Sequence, residues 1–360
     1  MGQASAGERR PSSGRWALLA MQLLLGCSQA AGPDHEPEDL ARAGTGGPVG
    51  AGARAAAETM AAGGVNAGAP GEGASGVGEP RSDGAEAGSA DAAVQPADAG
   101  ADDSGDAEEP SYAAPCMVSA DSVVCEHTIA QIPAGSGTRD VYWAAPIGPA
   151  PEAGYPLAII FQGSFFGPSF TWQELTPDFP FGGYYQGLLH VKLLEAGFVV
   201  VEPEAEGGVA WQTNAGGDYA TSSDHALMLE LFRRFAQSED FGKVDSTRLY
   251  ACGISSGGYM TSRMAVSHPG TMRALAIQSG SYATCLGPLC SVPSDLPSDH
   301  PPTLFLHGDA DGTVPIDTAI SYRDALDAQG TKTDMIVGMG IGHAWLHSAP
   351  QEVTQWFVGH

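Results

Sequence analysis

The chain has 360 residues, with 16 Lys and Arg against 42 Asp and Glu, for a formal net charge of −26. That balance argues against nucleic acid as a partner, because phosphate binding needs a clustered cationic surface. The 49 Gly exceed the roughly 7% of an average chain, and they are not evenly spread.

Residues 1–27 carry Arg9, Arg10 and Arg15 against Glu8, and an apolar run from Trp16 to Leu25 is broken only by Gln22. A basic start and a short apolar stretch form an export signal, too short to span a bilayer as a finished helix. The run ends Leu24-Leu25-Gly26-Cys27, where small residues before a Cys resemble a bacterial lipobox. The resemblance implies lipidation of Cys27, and export to an anchored place at the outer membrane or cell surface. An ordinary signal with release into the medium is the alternative. Membrane contact is expected only through Cys27, because no second long apolar run follows.

From Ala41 to Pro110, 37 of 70 residues are Gly or Ala, and no aromatic occurs between Trp16 and Tyr112. Between Ser28 and Pro115, 16 acidic residues face only Arg42, Arg54 and Arg81. Such a stretch buries too little apolar surface to offset its conformational entropy, so 28–111 is expected to be a disordered tether. Frequent Gly and scattered Pro break the competing Ala-rich helix. Residues 112–360 remain as one folded domain. The −26 then divides into +2 for the signal, −13 for the tether and −15 for the domain. Cys116 with Cys125 and Cys285 with Cys290 are close in sequence, and export permits two disulfides. Cys252 is left as a buried thiol.

Beyond Tyr112, short apolar runs alternate with helical stretches. Val141–Ala144, Leu157–Phe161 and Phe198–Val201 read as strands. Ser223–Gln237 reads as a helix, with apolar Leu227, Leu231 and Phe232 and charged Arg233 and Arg234. Arg248–Cys252 is a strand entering a Gly-rich turn. Ala274–Ile277, Thr303–Leu306 and Asp334–Val337 are further strands, Thr318–Ala328 and Gln351–Val358 helices. The order implies an α/β domain: a mainly parallel sheet with helices on both faces and reactive residues at the strands' carboxyl ends.

Gly253-Ile254-Ser255-Ser256-Gly257 fits G-x-S-x-G, with a strand before it and helix-compatible Tyr259–Val266 after it. A tight strand-to-helix turn exposes the Ser255 hydroxyl, and small flanking residues let neighbouring segments close in. The N–H of Ser256 then faces a developing oxyanion. A Ser hydroxyl needs a base, and the base an orienting carboxylate. Both follow downstream in the α/β-hydrolase order. His307-Gly308-Asp309-Ala310-Asp311-Gly312-Thr313-Val314-Pro315 matches H-G-x-x-D-x-x-V-P, which places the acid at Asp311 and leaves Asp309 to the turn. Gly342-His343 follows the last strand and supplies the base, with His347 as rival. The second oxyanion donor is assigned to the N–H of Ser164, after Phe161-Gln162-Gly163. Residues 161–185 hold nine of the 28 aromatics, and Phe166 and Trp172 are expected to line a substrate groove. Clustered His/Cys spacing of the usual metal-ligand kind is absent, so neither metal nor cofactor is expected.

Residues 248–311 resemble the extracellular medium-chain-length polyhydroxyalkanoate depolymerases, a family of α/β-hydrolases. The resemblance is carried by Ile254-Ser255-Ser256-Gly257-Gly258-Tyr259, by Ala274-Leu275-Ala276-Ile277-Gln278-Ser279-Gly280-Ser281-Tyr282, by Gly287-Pro288-Leu289-Cys290, and by Asp299-His300-Pro301-Pro302-Thr303. It implies an α/β-hydrolase fold, a Ser255, Asp311, His343 triad and a water-insoluble polyester of 3-hydroxy fatty acids as substrate. Family members often carry Asn where this chain has Gly253, and they are released into the medium. An esterase of the same fold acting on feruloyl, acetyl or other polyester substrates is the alternative. A serine peptidase and a lipoprotein that only binds apolar material are more distant ones.

Overall fold

A computed structural model describes residues 111–213, 218–237 and 240–360. The signal, Cys27 and the acidic stretch lie outside the described residues. Eight strands form one sheet: β3 (Thr128–Ala134), β4 (Gly137–Ala144), β5 (Tyr155–Phe161), β6 (Val199–Pro203), β7 (Val244–Ile254), β8 (Ala274–Gln278), β9 (Thr303–Gly308) and β10 (Thr333–Gly338). Their spatial order is β10-β9-β8-β7-β5-β6-β4-β3. All pairs from β10 to β6 are parallel; β4 is antiparallel to both β6 and β3. A separate hairpin, β1 (Cys116–Val118) and β2 (Val123–Cys125), is closed by the Cys116–Cys125 disulfide.

The central strands are continuous apolar runs because both their faces are covered; all seven residues of β5 are buried. Alternate side chains serve different layers. Ala158, Ile160, Val200 and Cys252 join one cluster with Leu189, Leu193, Val353 and Phe357, from the helices Gly183–Glu195 and Ala349–Val358. Leu157, Ile159, Val199 and Ala251 meet the helices Ser223–Gln237 and Ser256–Ser267 on the other face. Helix Ile316–Ala328 contributes Tyr322 and Leu326 to a third cluster with Phe305 and Tyr259. Among the described residues no helix is long and apolar enough to cross a membrane.

The helix Gly183–Glu195 was not legible in the sequence. Gln186, Gly187, Leu189, His190, Val191, Leu193 and Leu194 are all buried in it, so it lacks the polar stripe that marks a surface helix.

Strand order reverses where β5 lies between β7 and β6. Crevices at the carboxyl ends beside such a switch point are where open α/β sheets hold their reactive groups. Phe161 closes β5 there, and Ile254 closes β7.

Candidate active site

Ser255 stands between Ile254 of β7 and the helix Ser256–Ser267, with φ 57° and ψ −120°. A non-Gly residue held there is strained, and strain of this kind gathers at functional positions. The turn survives because glycine surrounds it. A Cβ on Gly257 would lie 2.0 Å from the Phe161 carbonyl oxygen, and one on Gly253 would lie 2.6 Å from that of Gly257. The departure at Gly253 therefore falls where backbone leaves no room for a side chain. Phe165, Phe181 and Ser279 also have positive φ; Phe165 follows β5, Ser279 follows β8, and Phe181 lies in the one-turn 3-10 helix Pro180–Gly182.

Asp311 follows β9 and is buried. Its Oδ1 accepts the N–H groups of Thr313 and Val314, each at 2.9 Å. Its Oδ2 accepts from His343 Nδ1 at 2.8 Å, with His307 Nε2 at 3.4 Å. Burial pushes this carboxyl up, but hydrogen bonds from His307, His343 and Val314 outweigh it and hold it well below the ordinary carboxylate range. An ionised carboxylate only accepts, so Nδ1 of His343 carries a proton in this contact.

Gln278, at the end of β8, joins the two halves of the site. Its carbonyl accepts the Ser255 N–H at 3.0 Å. Its buried side chain donates to Ala344 O at 2.8 Å and accepts the Leu346 N–H at 3.2 Å. One residue thus ties the turn of Ser255 to the loop of His343. It lay inside a recognisable sequence run, but no local signal distinguishes it, because both partners are remote in sequence.

Ser256 opens its helix, so its N–H has no intrahelical acceptor; its Oγ accepts the Trp211 N–H at 3.0 Å. A Cβ on Gly163 would stand 3.9 Å from Ser255 Cβ, so the loop carrying Ser164 abuts the Ser255 turn. Gln162 fixes that loop from below, accepting the Ala205 N–H at 2.9 Å and donating to Gly208 O at 3.3 Å.

The aromatic segment divides into two groups. Phe181 is 6.2 Å edge-on from the His343 ring, and Phe166 is 5.0 Å from Phe181. Phe165, Phe170 and Phe181 expose 43%, 46% and 39% of their surface, leaving an apolar wall beside His343. Trp172 corrects the sequence expectation: it lines no open groove. It is 2% exposed and stacked on His190 at 4.3 Å. The short helix Pro168–Thr171 turns it inward, where its large apolar area is worth more buried.

The remaining candidates are accounted for. His347 stacks on Tyr185 at 4.4 Å, and Asp309 Oδ1 accepts the Gly340 N–H, a turn contact. Cys285–Cys290 pair as expected. Gly287 N–H of that loop donates to Tyr259 Oη at 3.0 Å, beside the Asp311 turn. Cys252 is fully buried, and desolvation pushes its thiol well up, so it is not a nucleophile at ordinary pH.

The strand order, the strained Ser255 turn and the following acid and His define an α/β-hydrolase. The chain is 46% identical over 228 residues to a poly(3-hydroxyoctanoate) depolymerase of Pseudomonas fluorescens, covering 62% of this chain and 81% of that protein. It belongs to that depolymerase family and is a carboxylic ester hydrolase. The profile of the prolyl oligopeptidase family matches residues 291–357, the segment with Asp311 and His343. Among solved structures, a thermostable esterase is similar at 17% identity and TM-score 0.48, over 65% of this chain and 62% of that one. A truncated carbohydrate esterase from gut microbiota is similar at 17% identity and TM-score 0.45, over 61% of this chain and 90% of that one.

Proposed function

We propose that the protein cleaves the ester bonds of medium-chain-length polyhydroxyalkanoates with a Ser255, His343, Asp311 triad. The observation that carries this reading is the 2.8 Å His343–Asp311 bond on a loop that Gln278 ties to the Ser255 turn, beside exposed phenylalanines. Ser255 Oγ attacks the ester carbonyl carbon while His343 Nε2 takes its proton. The carbonyl electron pair becomes an oxyanion held by the N–H groups of Ser256 and Ser164. Collapse breaks the bond to the alkoxy oxygen, which leaves with the proton from His343 as a free hydroxyl end. Water then gives a proton to the same ring as it attacks the acyl-Ser255 ester, and the bond to Ser255 Oγ breaks as that oxygen takes the proton back from His343, which releases the acid.

Phe165, Phe166, Phe170 and Phe181 form one side of the polymer contact. Leu286 and Leu289, 54% and 74% exposed on the disulfide-closed loop by the acid turn, form the other. Apolar surface of this kind suits a water-insoluble chain. The two disulfides fit an exported protein, and Cys27 is the proposed lipid anchor, testable by incorporation of labelled fatty acid and its loss in Cys27→Ala.

The deciding experiment incubates wild type and Ser255→Ala with medium- and short-chain polymer side by side and reads the products by mass spectrometry. Hydroxyoctanoate monomers or oligomers from wild type alone support the reading. Products from Ser255→Ala overturn the triad, and a preference for small acetyl or feruloyl esters overturns the substrate.

A further inference from the structure

Glu202 lies in β6 one residue before Pro203 and is fully buried. It shares a sheet face with Val200, in the apolar layer beneath helix Gly183–Glu195. A carboxyl group there is costly unless its oxygens are hydrogen-bonded. Oε1 accepts from Thr171 Oγ1 at 2.9 Å and from Gln186 Nε2 at 2.8 Å, while Oε2 lies 3.3 Å from His190 Nε2 without a hydrogen bond. Gln186 is buried too, and its orientation is dictated. The indole Nε1 of Trp345 can only donate, so the oxygen of Gln186 must face it, at 2.9 Å. The amide NH2 is thereby committed to Glu202.

Trp345 is two residues beyond His343 and 2% exposed. Its own N–H donates to Phe181 O at 2.9 Å. Gln278 takes the backbone on either side, at Ala344 and Leu346. The side chain of Trp345 is therefore the point at which the core grips the loop of the base, and Glu202 sets that grip through Gln186.

We propose that Glu202 and Gln186 are positioning residues for ester hydrolysis, acting through Trp345 on the approach of His343. The proposal rests on His343 being the base. Neither residue touches substrate.

The test is steady-state kinetics on p-nitrophenyl octanoate across a pH series. It compares wild type, Ser255→Ala, Gln186→Glu, Gln186→Met and the exchange Gln186→Glu/Glu202→Gln. Gln186→Glu sets two carboxyl oxygens at the 2.8 Å contact, where like charges share a proton. Its kcat should fall roughly 10- to 100-fold at alkaline pH, recover on acidification, and leave KM within about twofold. In the exchange protein an amide at 202 donates to a carboxylate at 186, which still accepts from Trp345, and the Thr171 hydroxyl rotates to suit. Its kcat should return to within about threefold of wild type. An unchanged kcat in Gln186→Glu, or a loss that the exchange does not restore, overturns the proposal. If Gln186→Glu does not fold, Gln186→Met decides, since it too should lose kcat at constant KM. Activity in Ser255→Ala would instead overturn the triad. An inert Ser255→Ala beside wild-type kinetics in the Gln186 variants overturns only the positioning role.

Discussion

The Oδ2 atom of Asp311 serves two histidines: His343 Nδ1 at 2.8 Å and His307 Nε2 at 3.4 Å. His307 Nε2 also donates to Val314 O at 2.8 Å, and Oδ1 takes two backbone N–H groups. The carboxylate has no freedom to turn, so the imidazole it orients is fixed in tautomer and direction.

Asp311→Asn should therefore cost catalysis and leave the fold intact. An amide in this place offers a donor to a ring nitrogen that must itself donate, which favours the wrong tautomer. We predict a fall in kcat of about 10⁴-fold with an unchanged circular dichroism spectrum. Soluble p-nitrophenyl esters give the rate, and a loss below tenfold would exclude Asp311 as the orienting acid.

Stability should decline on mild acidification. Burial, with the neighbouring charges of His225 and Arg263, pushes His268 down to about 4, and burial does the same to His300, also to about 4. Between the ordinary 6.5 and about 4, the unfolded chain binds protons that the folded chain refuses. Stability is thus fully present above that window and lost as pH falls through it, by up to about 1.4 kcal/mol per pH unit per ring. Asp311, held down in the folded state, adds a further loss below its ordinary 3.8. Urea midpoints over a pH series measure the slope, and His300→Gln should reduce it.

Gly257→Ala should disable the Ser255 turn. Its Cβ would press on the carbonyl oxygens of Phe161 at 2.0 Å and Gln162 at 2.6 Å, so backbone must shift. A cost of about 3 kcal/mol in stability and about a 100-fold fall in kcat are predicted. Thermal unfolding and a fluorophosphonate labelling rate would show both.

Binding to polymer should separate from chemistry. Phe170→Ser with Leu289→Ser removes two exposed apolar groups, and neither residue belongs to the proposed triad. Adsorption to polyhydroxyoctanoate latex should weaken about tenfold, equivalent to about 1.4 kcal/mol of lost apolar contact. Turnover of p-nitrophenyl acetate should stay within about twofold. Unchanged adsorption would move the polymer surface elsewhere.

The Cys285–Cys290 bridge, with a sequence separation of 5, should contribute about 2 kcal/mol by restricting the unfolded chain. The paired Ser variant measures it in urea. Its latex adsorption should also fall, because Leu286 and Leu289 lose their closed loop.

What the sequence determined by itself is local. Short apolar runs such as Leu157–Phe161 and Phe198–Val201 read as strands, and Gly253-Ile254-Ser255-Ser256-Gly257 spells a turn that few residues tolerate. The order of Ser255, Asp311 and His343 likewise follows from spacing. Only the tertiary structure decided which aromatics face out. Phe166 and Trp172 sit in the same aromatic-rich stretch, yet Trp172 is stacked on His190 while Phe166 sits with Phe181 near His343. It also decided that Gln278, Gln186 and Glu202 hold the loop of His343. A glutamine or glutamate carries no mark of its partner in the sequence. Its role exists only where folding brings a donor and an acceptor together in a place that excludes water, and makes each of them costly to leave unpaired.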